Sequence, residues 1–385
     1  INNPVSTLEY AKEKKFSLAF IGPENPLHSG VSDVLWDNHI KVVGPKKKLA
    51  QIETSKTFAR NLLSEYGIPG SPKYQNFKSL NGVQSFIEQL SNNYVVKYDG
   101  LAGGKGVKVS GEHVHSTEQA LEYCQEIINN NGSFLVEEKF IGEEFSLMSF
   151  CDGNTLKHMP VVQDHKRAYE NDSGPNTGGM GTYTDSNHSL PFLKNEDVSM
   201  AKAINEKTAK ALKDKFSEGY KGVLYGGFIA TKNGVKLIEY NARFGDPEAM
   251  NVLSILETDF VDLCNAIVEE NLHNIDVKFK KLATVCKYAV PEGYPDNPIK
   301  GEKIDIRSVK NKNTLFYGSV SIKGGDLIEE GSRTVAAVGK ASSISDAEKI
   351  AESEISKIKG PLFHRKDIGT SELIKKRIRV MDLLR

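Results

Sequence analysis

Hydrophobic and polar positions alternate along the chain with two periods, which predicts both amphipathic helices and half-buried strands. A helix over 5–15 precedes a buried strand over 16–24, and a helix over 30–38 precedes a short strand over 40–44. This alternation of helices and strands is typical of a parallel sheet. Since the chain opens with Ile1 rather than methionine, we expect these elements to be the remnant of a doubly wound unit whose first strand is absent.

The rest of the chain predicts a longer series of elements. Helices are expected over 47–66, 79–91, 116–129, 195–218 and 344–360, and strands over 94–100, 133–140, 144–153 and 155–163. The last two strands have the pattern of an antiparallel pair, and 222–245 has the pattern of a β-hairpin around Lys-Asn-Gly. After a further helix past residue 250, the segments KLATVCKYAV and LFYGSVSIKGG indicate a mostly β module.

Composition narrows the classes of partner. The chain contains 50 basic and 50 acidic side chains, so no overall field attracts nucleic acid or an anionic membrane. No stretch reaches the roughly 18 consecutive apolar residues of a membrane helix. The cysteines lack the spacing of a zinc site or a disulfide framework, which favours a reducing cytoplasm and small buried side chains at Cys124, Cys151, Cys264 and Cys286.

Two neighbouring features suit an anion. The loop LAGGKGVKV places Gly103, Gly104, Lys105 and Gly106 between predicted strands, and such a loop brings backbone N–H groups close to phosphate. It lacks the ending of a Walker A motif, and a plain β-turn with a solvated lysine is the alternative. Lys97 lies in the apolar strand YVVKYD, where it needs either an anion or, on an edge strand, a path to water.

Carboxylates close two further strands. Glu137 and Glu144 are placed to accept hydrogen bonds from ribose hydroxyls, although solvated acids at a turn would have the same pattern. In LIEYNARFGDPE, Glu239 and Asn241 are two residues apart, so both side chains leave the same face of a strand. A carboxylate beside an amide oxygen suits Mg²⁺, whereas an exposed polar strand face is the alternative. Arg243 would point the same way.

The segment QDHKRAYENDSGPNTGGMGTY (163–183) has four glycines, a run of charged side chains and no apolar run. It therefore predicts a polar loop that is not buried for stability, with a disordered loop as the alternative. Asp164, Lys166 and Arg167 would offer charges to a ligand, and Asp246 in a Gly-Asp-Pro turn would complete the same pocket.

Together these segments resemble ATP-grasp enzymes and, more narrowly, the glycinamide ribonucleotide synthetase (phosphoribosylamine–glycine ligase) family. The resemblance extends through nearly all 385 residues. It is carried by IGPENPL (21–27), QIETSKTFAR (51–60), VVKYDGLAGGKGV (95–107), VEEKFIGEEFS (136–146), QDHKRAYENDSGPNTGGMGTY (163–183), GVLYGGF (222–228) and IEYNARFGDPE (238–248). GGKGV is generic to ATP-grasp enzymes, whereas DHKR, GPNTGGMG and N-R-FGDPE in this order are far more specific.

The resemblance implies a multidomain α/β and α+β protein with an ATP-grasp fold. A partial N-terminal doubly wound parallel-sheet domain is expected over 1–48, and the ATP-grasp domain over 49–250, with a small ATP-lid lobe at about 71–135. The remaining helices of the central region and a C-terminal mostly β domain are expected over 251–385.

The resemblance also implies a reaction, in which ATP drives the joining of glycine to 5-phosphoribosylamine through a glycyl phosphate, in purine biosynthesis. The implied cofactors are ATP and Mg²⁺ or Mn²⁺. The implied partners are the two small-molecule substrates, with no nucleic acid and no membrane, and the implied state is a cytoplasmic monomer or weak homo-oligomer.

The resemblance assigns roles to individual residues. These are catalysis by Lys97, Lys105, Asp164, Lys166 and Arg243; ATP binding by Lys56, Lys97, Gly103, Gly104, Lys105, Gly106, Glu137, Glu138, Phe140 and Glu144; substrate binding by Glu24, Asp164, Lys166, Arg167, Asn176, Thr177, Gly178, Gly179, Arg243 and Asp246; and metal binding by Glu239 and Asn241. A simple Gly-Pro turn is the alternative account of the segment that holds Glu24.

Two departures from the family pattern bear on the site. No Gly-Gly-Arg-Glu-His-like loop precedes Ile1, and GVLYGGF lacks the acidic metal ligand that many ATP-grasp enzymes carry there, so we expect a leaner metal site. The rival hypotheses are another ATP-grasp ligase of purine metabolism, of carboxylase or transformylase type, and a non-catalytic nucleotide-binding protein.

Overall fold

The structure is a computed structural model that describes residues 2–102 and 106–385. Its α-helices are α1 (Pro4–Glu13), α2 (Glu24–Ser29), α3 (Val31–Asp37), α4 (Lys47–Thr54), α5 (Lys56–Glu65), α6 (Val83–Gln89), α7 (Thr117–Asn129), α8 (Asn195–Phe216), α9 (Glu248–Leu253), α10 (Phe260–Val268), α11 (Ile344–Ile355) and α12 (Ser371–Leu384). Its β-strands are β1 (Leu18–Phe20), β2 (Lys41–Val43), β3 (Tyr74–Phe77), β4 (Tyr94–Tyr98), β5 (Val107–Val109), β6 (Phe134–Glu138), β7 (Gly142–Asp152), β8 (Leu156–His158), β9 (Gln163–Asp164), β10 (Arg167–Tyr169), β11 (Ser173–Asn176), β12 (Gly181–Thr184), β13 (Lys221–Thr231), β14 (Gly234–Asn241), β15 (Ala283–Pro291), β16 (Lys303–Ile304), β17 (Leu315–Tyr317), β18 (Val320–Lys323), β19 (Asp326–Glu329), β20 (Val335–Ala341) and β21 (Leu362–Phe363).

The N-terminal elements form the parallel unit that the sequence predicts. β1 pairs with β2 in parallel, and α1 begins where the Asn3 side chain accepts a hydrogen bond from the Ser6 N–H at 3.1 Å. The helix predicted over 30–38 is α3, and a further short helix that was not predicted, α2, ends at Gly30, which adopts φ 86°.

A small lobe follows, in which an antiparallel sheet of order β3-β6-β4-β5 carries α6 and α7. Alternate residues of the inner strands, such as Val96, Phe134 and Val136, pack against these helices and are fully buried. α7 begins at Ser116, whose hydroxyl accepts from the Gln119 N–H.

The larger sheet beside this lobe has the order β14-β13-β7-β8 and is antiparallel. The predicted hairpin is confirmed by the pairing of β13 with β14, and Gly234 takes φ 86° at its turn. The register shifts between Gly227 and Phe228, at the level of the candidate metal ligand Glu239. α8 packs against β7, β13 and β14 of this sheet, and α10 also contacts β7 and β13.

The C-terminal part is built on a sheet of order β17-β20-β15-β12-β9, to which β21 adds on β15. α11 packs on β20 and β15, and β16, β19 and β18 form a separate small sheet. α12, which contacts β7, has no counterpart among the sequence predictions.

The segment 163–183 is not the unburied polar loop that its composition predicts. It contributes β9 and β12 to the C-terminal sheet, and His165 is 1% exposed. The prediction was wrong because partners from distant sequence neutralise the segment: the buried Arg365 pairs with Asp172 at 3.1 Å, and Arg377 of α12 pairs with the same carboxylate.

No helix in the described part of the chain combines the length and the apolar character needed to cross a bilayer.

Candidate active site

A buried ion triad, made of Arg60, Glu137 and Lys97, lies where the small lobe meets the larger sheet. Arg60 holds the Glu137 carboxylate with two nitrogens, Nε at 2.7 Å and Nη2 at 3.0 Å, and the Lys97 Nζ lies 2.8 Å from Oε2. The three side chains are between 3% and 6% exposed. Burial alone would raise the pKa of Glu137, but the charges of Arg60 and Lys97 lower it to about 2.

The ion triad also joins the two sheets that flank the cleft. The Ile238 carbonyl on β14 accepts hydrogen bonds from Arg60 at 2.6 Å and from Lys97 at 2.9 Å. Lys97 is thus not an edge-strand lysine that reaches water, because β4 lies between β6 and β5 and the ammonium is buried against Glu137 and the Ile238 carbonyl. Since both oxygens of Glu137 are on Arg60 and Lys97, its predicted contact with a ribose stays a prediction.

Glu239 and Asn241 occupy alternate positions at the end of β14, as the sequence predicts. Among the described residues, neither side chain has a hydrogen-bond or salt-bridge partner. Burial opposes ionisation of Glu239, but the charges of Lys166, Lys97 and other nearby cations hold its pKa below the usual range. The carboxylate is therefore ionised, surrounded by positive charge and open to a ligand.

No group of three His, Cys, Asp or Glu side chains arranged for a metal ion occurs within residues 2–102 and 106–385. Glu239 and Asn241 would give a metal at β14 one carboxylate and one amide, and the leaner metal site stays a prediction.

A charged cleft, made of Glu144, Asp164, Lys166 and Glu239, lies at this strand. The strands β7, β9 and β14 bring these four predicted residues together. Lys166 and Glu144 form a salt bridge of 3.3 Å, and their side chains are 41% and 52% exposed. Burial and the charge of Glu248 raise the pKa of Asp164.

Arg243 lies at the other side of the β14 end, between two carboxylates. Its Nε is 3.3 Å from Glu24, and its Nη2 is 3.2 Å from Glu53. Glu53 also accepts a hydrogen bond from the Ala242 N–H at 2.7 Å, and burial raises its pKa to about 7. Two predicted site residues, Glu24 and Arg243, are thus in contact. The second carboxylate on Arg243, that of Glu53, was not among the predicted site residues.

The glycine turn, residues 176–179, lies between the charged cleft and the C-terminal sheet. The Thr177 hydroxyl donates to the Lys166 carbonyl at 2.9 Å and accepts from the Gly179 N–H at 3.0 Å. The Gly178 carbonyl accepts from Arg333, which also pairs with Asp246 at 3.0 Å. The polar atoms of this turn are therefore bonded within the chain, and its shape is fixed by those bonds.

Some predicted residues lie apart from the charged cleft. Arg167 donates to Glu112 of the small lobe at 2.6 Å, and its strand partner is Asn176. Phe140 is 6.0 Å from the Lys236 ammonium, and Glu138 accepts from a backbone N–H at 3.3 Å.

The Lys56 ammonium donates to the Gly100 carbonyl at 3.0 Å, and the Gly106 carbonyl accepts from the Tyr98 N–H at 2.8 Å. These two contacts flank the glycine loop. The predicted Gly103, Gly104 and Lys105 lie outside the described residues.

Sequence reasoning missed the partners that hold the site. A pattern for Arg60 was present, since it lies on the apolar face of α5 beside Ala59, Leu62 and Leu63, where a charge needs a partner. Arg333 had no such pattern, because its partners are far away in sequence.

Comparisons with known proteins agree with this architecture. The family models described as the phosphoribosylglycinamide synthetase N domain, ATP-grasp (A) domain and C domain match residues 1–53, 54–249 and 284–371. The phosphoribosylamine–glycine ligase of Methanosarcina barkeri is 51% identical over 98% of this chain and 87% of its own length. That of Methanocaldococcus jannaschii is 52% identical over 98% of this chain and 87% of its own length.

This chain belongs to the phosphoribosylglycinamide synthetase family.

Solved structures extend the comparison to the fold. A phosphoribosylamine–glycine ligase from Thermotoga maritima is 27% identical, with a TM-score of 0.76 over 85% of this chain and 81% of its own. A biotin carboxylase domain from Hydrogenobacter thermophilus is 16% identical, with a TM-score of 0.70 over 98% of this chain and 81% of its own, so it shares the fold alone. The ATP-grasp fold implied by the sequence resemblance is confirmed, and the cleft residues lie within the part of the chain that matches the ATP-grasp (A) domain.

Proposed function

We propose that this chain is an ATP-dependent ligase that joins glycine to 5-phosphoribosylamine, with release of ADP and phosphate, in purine biosynthesis. The observation that carries the proposal is the charged cleft, which includes Glu239 of β14, a carboxylate with no partner among residues 2–102 and 106–385. The cleft occurs in a chain about half identical to ligases of that name over nearly its full length.

The ion triad is the ATP end of the site in this proposal. Because Glu137 and the Ile238 carbonyl hold Lys97 in one place, its ammonium is pre-oriented for the phosphates. Lys56 at the base of the glycine loop adds a second cation, and Lys105 in that loop adds a third. Phosphoryl transfer between anions depends on such positioned positive charge rather than on a covalent intermediate with the protein.

The residues at the end of β14 fit a divalent cation. Glu239 is ionised, Asn241 offers an amide oxygen on the same face, and neither has a partner among the described residues. We assign them as the ligands of Mg²⁺ or Mn²⁺, which would neutralise charge on the phosphate oxygens of ATP when bound.

The glycine carboxylate attacks the γ-phosphorus of ATP, forming a C–O–P bond and releasing ADP. The amine of phosphoribosylamine then attacks the carbonyl carbon of glycyl phosphate, the C–O bond to phosphate breaks, and the nitrogen loses a proton. In this scheme Arg243 holds the carboxylate, Lys166 neutralises the phosphate, and Asp164 pairs with the amine.

Other attributes of the proposal rest on composition. A cytoplasmic location is supported by free, buried thiols at each of the four cysteines. A monomer or weak homo-oligomer that acts on small molecules without nucleic acid or membrane stays a prediction.

The test is ADP release from Mg-ATP with glycine and with phosphoribosylamine, which is formed in the assay from ribose 5-phosphate and ammonia. We expect release only when both substrates are present, in step with formation of glycinamide ribonucleotide detected by mass spectrometry. Replacing glycine by bicarbonate or by formate tests the carboxylase and transformylase alternatives. Release with either of those, and none with glycine, would overturn the proposal.

A further inference from the structure

Arg333, which no sequence pattern singles out, connects the two turns that close the cleft on the C-terminal side. Its Nη1 donates to the Gly178 carbonyl at 2.5 Å and to the Asp246 carbonyl at 2.6 Å. Its Nη2 donates to the Asp246 carboxylate at 3.0 Å. One guanidinium thus binds the glycine turn and the Gly-Asp-Pro turn at once, which the planar fork of arginine permits and an ammonium does not.

The guanidinium is itself held in place by Tyr288 on β15. The guanidinium carbon of Arg333 lies 5.0 Å from the centre of the Tyr288 ring, and the Tyr288 hydroxyl donates to the other oxygen of Asp246 at 3.0 Å. Both carboxylate oxygens of Asp246 are therefore occupied within the protein. This contact explains Asp246 as a support of the turn, and its predicted contact with substrate stays a prediction.

The glycine pair fits between Arg333 and Asp164 with no space to spare. A Cβ on Gly178 would lie 3.0 Å from the Arg333 guanidinium carbon. A Cβ on Gly179 would lie 2.8 Å from the Asp164 carboxylate and 2.7 Å from Pro247. The backbone of this pair is thus the layer that transmits the position of Arg333 to Asp164 in the charged cleft.

We propose that Arg333 is a positioning residue for the ligase, fixing Gly178 and Gly179 against Asp164 so that the acceptor end of the cleft is pre-formed. The inference rests on the proposed function for its kinetic consequence, but the positional claim itself concerns the unliganded protein. Arg333 has no contact with the ion triad at the ATP end. Loss of Arg333 should therefore weaken the use of glycine and of the amine substrate, and leave nucleotide binding unchanged.

The kinetic test compares Arg333→Met and Arg333→Lys with the wild type. We expect Arg333→Met to lower kcat/KM for glycine about 10²-fold, as a displacement of about 1 Å at a reacting group does, while the Kd for ADP changes less than about twofold. Arg333→Lys keeps the charge but loses the fork, and we expect it to fall in between. A parallel loss of ADP affinity, or unchanged kinetics with glycine, would overturn the inference.

A second measurement does not depend on turnover. Hydrogen–deuterium exchange of the unliganded protein should be faster over 174–180 in Arg333→Met, and unchanged in the ion triad. If Arg333→Met does not fold, Tyr288→Phe serves in its place. It removes only one hydroxyl, so we expect a smaller increase in exchange over the same residues. The control is Arg307→Met, which removes an arginine that is 85% exposed and bonded to Asp305.

The two measurements separate the two proposals. A wild type that does not ligate glycine overturns the proposed function, while faster exchange over 174–180 still supports the position of Arg333. If the wild type is active and exchange over 174–180 is the same in Arg333→Met as in the wild type, the inference alone is overturned.

Discussion

The ion triad and the charged cleft hold the same kinds of side chain, yet they differ in how completely those side chains are paired. In the triad, each oxygen of Glu137 has a cationic partner at 3.0 Å or less, and the side chains are nearly inaccessible. In the cleft, Glu239 has no partner among the described residues, and the Lys166–Glu144 pair is long and half exposed.

The difference indicates which charges support the site and which receive ligands. Burying a charge is costly, so Glu137, whose two oxygens are both paired with cations, is part of the scaffold, and its loss would affect folding. Charges that stay ionised without a close partner have their interactions left for a ligand. By this criterion Glu137 is a support, and Glu239, with the Asn241 amide on the same face, is the candidate ligand contact.

The largest expected effect is on activity, from Glu239→Gln. The substitution keeps the shape of the side chain but removes the charge that we assign to the metal. We expect kcat for ADP release to fall about 10²- to 10⁴-fold, because the metal contributes several kcal/mol to transition-state stabilisation. The free energy of unfolding should fall less than in Glu137→Gln, since only the attraction to nearby cations is lost and no described hydrogen bond or salt bridge is broken. Near-normal turnover would contradict the claim that Glu239, unlike Glu137, receives a ligand.

The next largest effect is on stability, from Glu137→Gln. Removing this charge leaves Arg60 and Lys97 buried without their counter-ion, so we expect urea unfolding to show a loss of about 3–5 kcal/mol. The matched control is Glu138→Gln, at the neighbouring position of β6, whose only described bond is long; its loss should be under about 0.5 kcal/mol. Equal losses in the two variants would contradict a scaffold role for the triad.

A third prediction concerns pH and Glu53, which is buried beside Arg243. Because burial raises its pKa from 4.5 to about 7, the folded protein retains this proton to higher pH than the unfolded chain does. The group therefore lowers the free energy of unfolding as pH rises through this window, by up to about 3 kcal/mol. We expect Glu53→Gln to flatten the decline between pH 5 and pH 8 in urea unfolding. Glu24→Gln removes only a smaller contribution to the raised pKa of Glu53, so it should flatten the decline much less than Glu53→Gln does.

The smallest effect is expected from Arg167→Met. Arg167 pairs with Glu112 at the small lobe, and partly exposed pairs contribute about 0–1 kcal/mol. We therefore expect a small loss of stability and a KM for glycine within about twofold of the wild type. A large rise in that KM would instead support the substrate-binding role that the sequence resemblance assigns to Arg167.

Much of the fold followed from local pattern. The parallel pair β1–β2, the long helix α8 and the hairpin β13–β14 each have a periodicity that one window of sequence reveals. The pairing of β12 with β9 and β15 could not be read in this way, because a polar segment joins a sheet only when distant charges neutralise it.

The same division holds for the site. Glu239 and Asn241 were found because a two-residue spacing on a strand fixes their common face. Arg60, Glu53 and Arg333 were missed because their partners lie on other elements, so their roles depend on tertiary contacts that no local pattern contains. Glu137 was assigned to a ribose because sequence does not reveal that Arg60 and Lys97 already hold it.

The measurement that tests the central claim most directly is Mn²⁺ binding, followed by electron paramagnetic resonance of the free ion in the presence of ADP. The wild type and the exposed-site control Arg307→Met should remove Mn²⁺ from solution to the same extent, whereas Glu239→Gln should not, while remaining folded. This result would place the metal at the open end of β14 and keep the ion triad as its scaffold. Undiminished Mn²⁺ binding by Glu239→Gln would contradict that account.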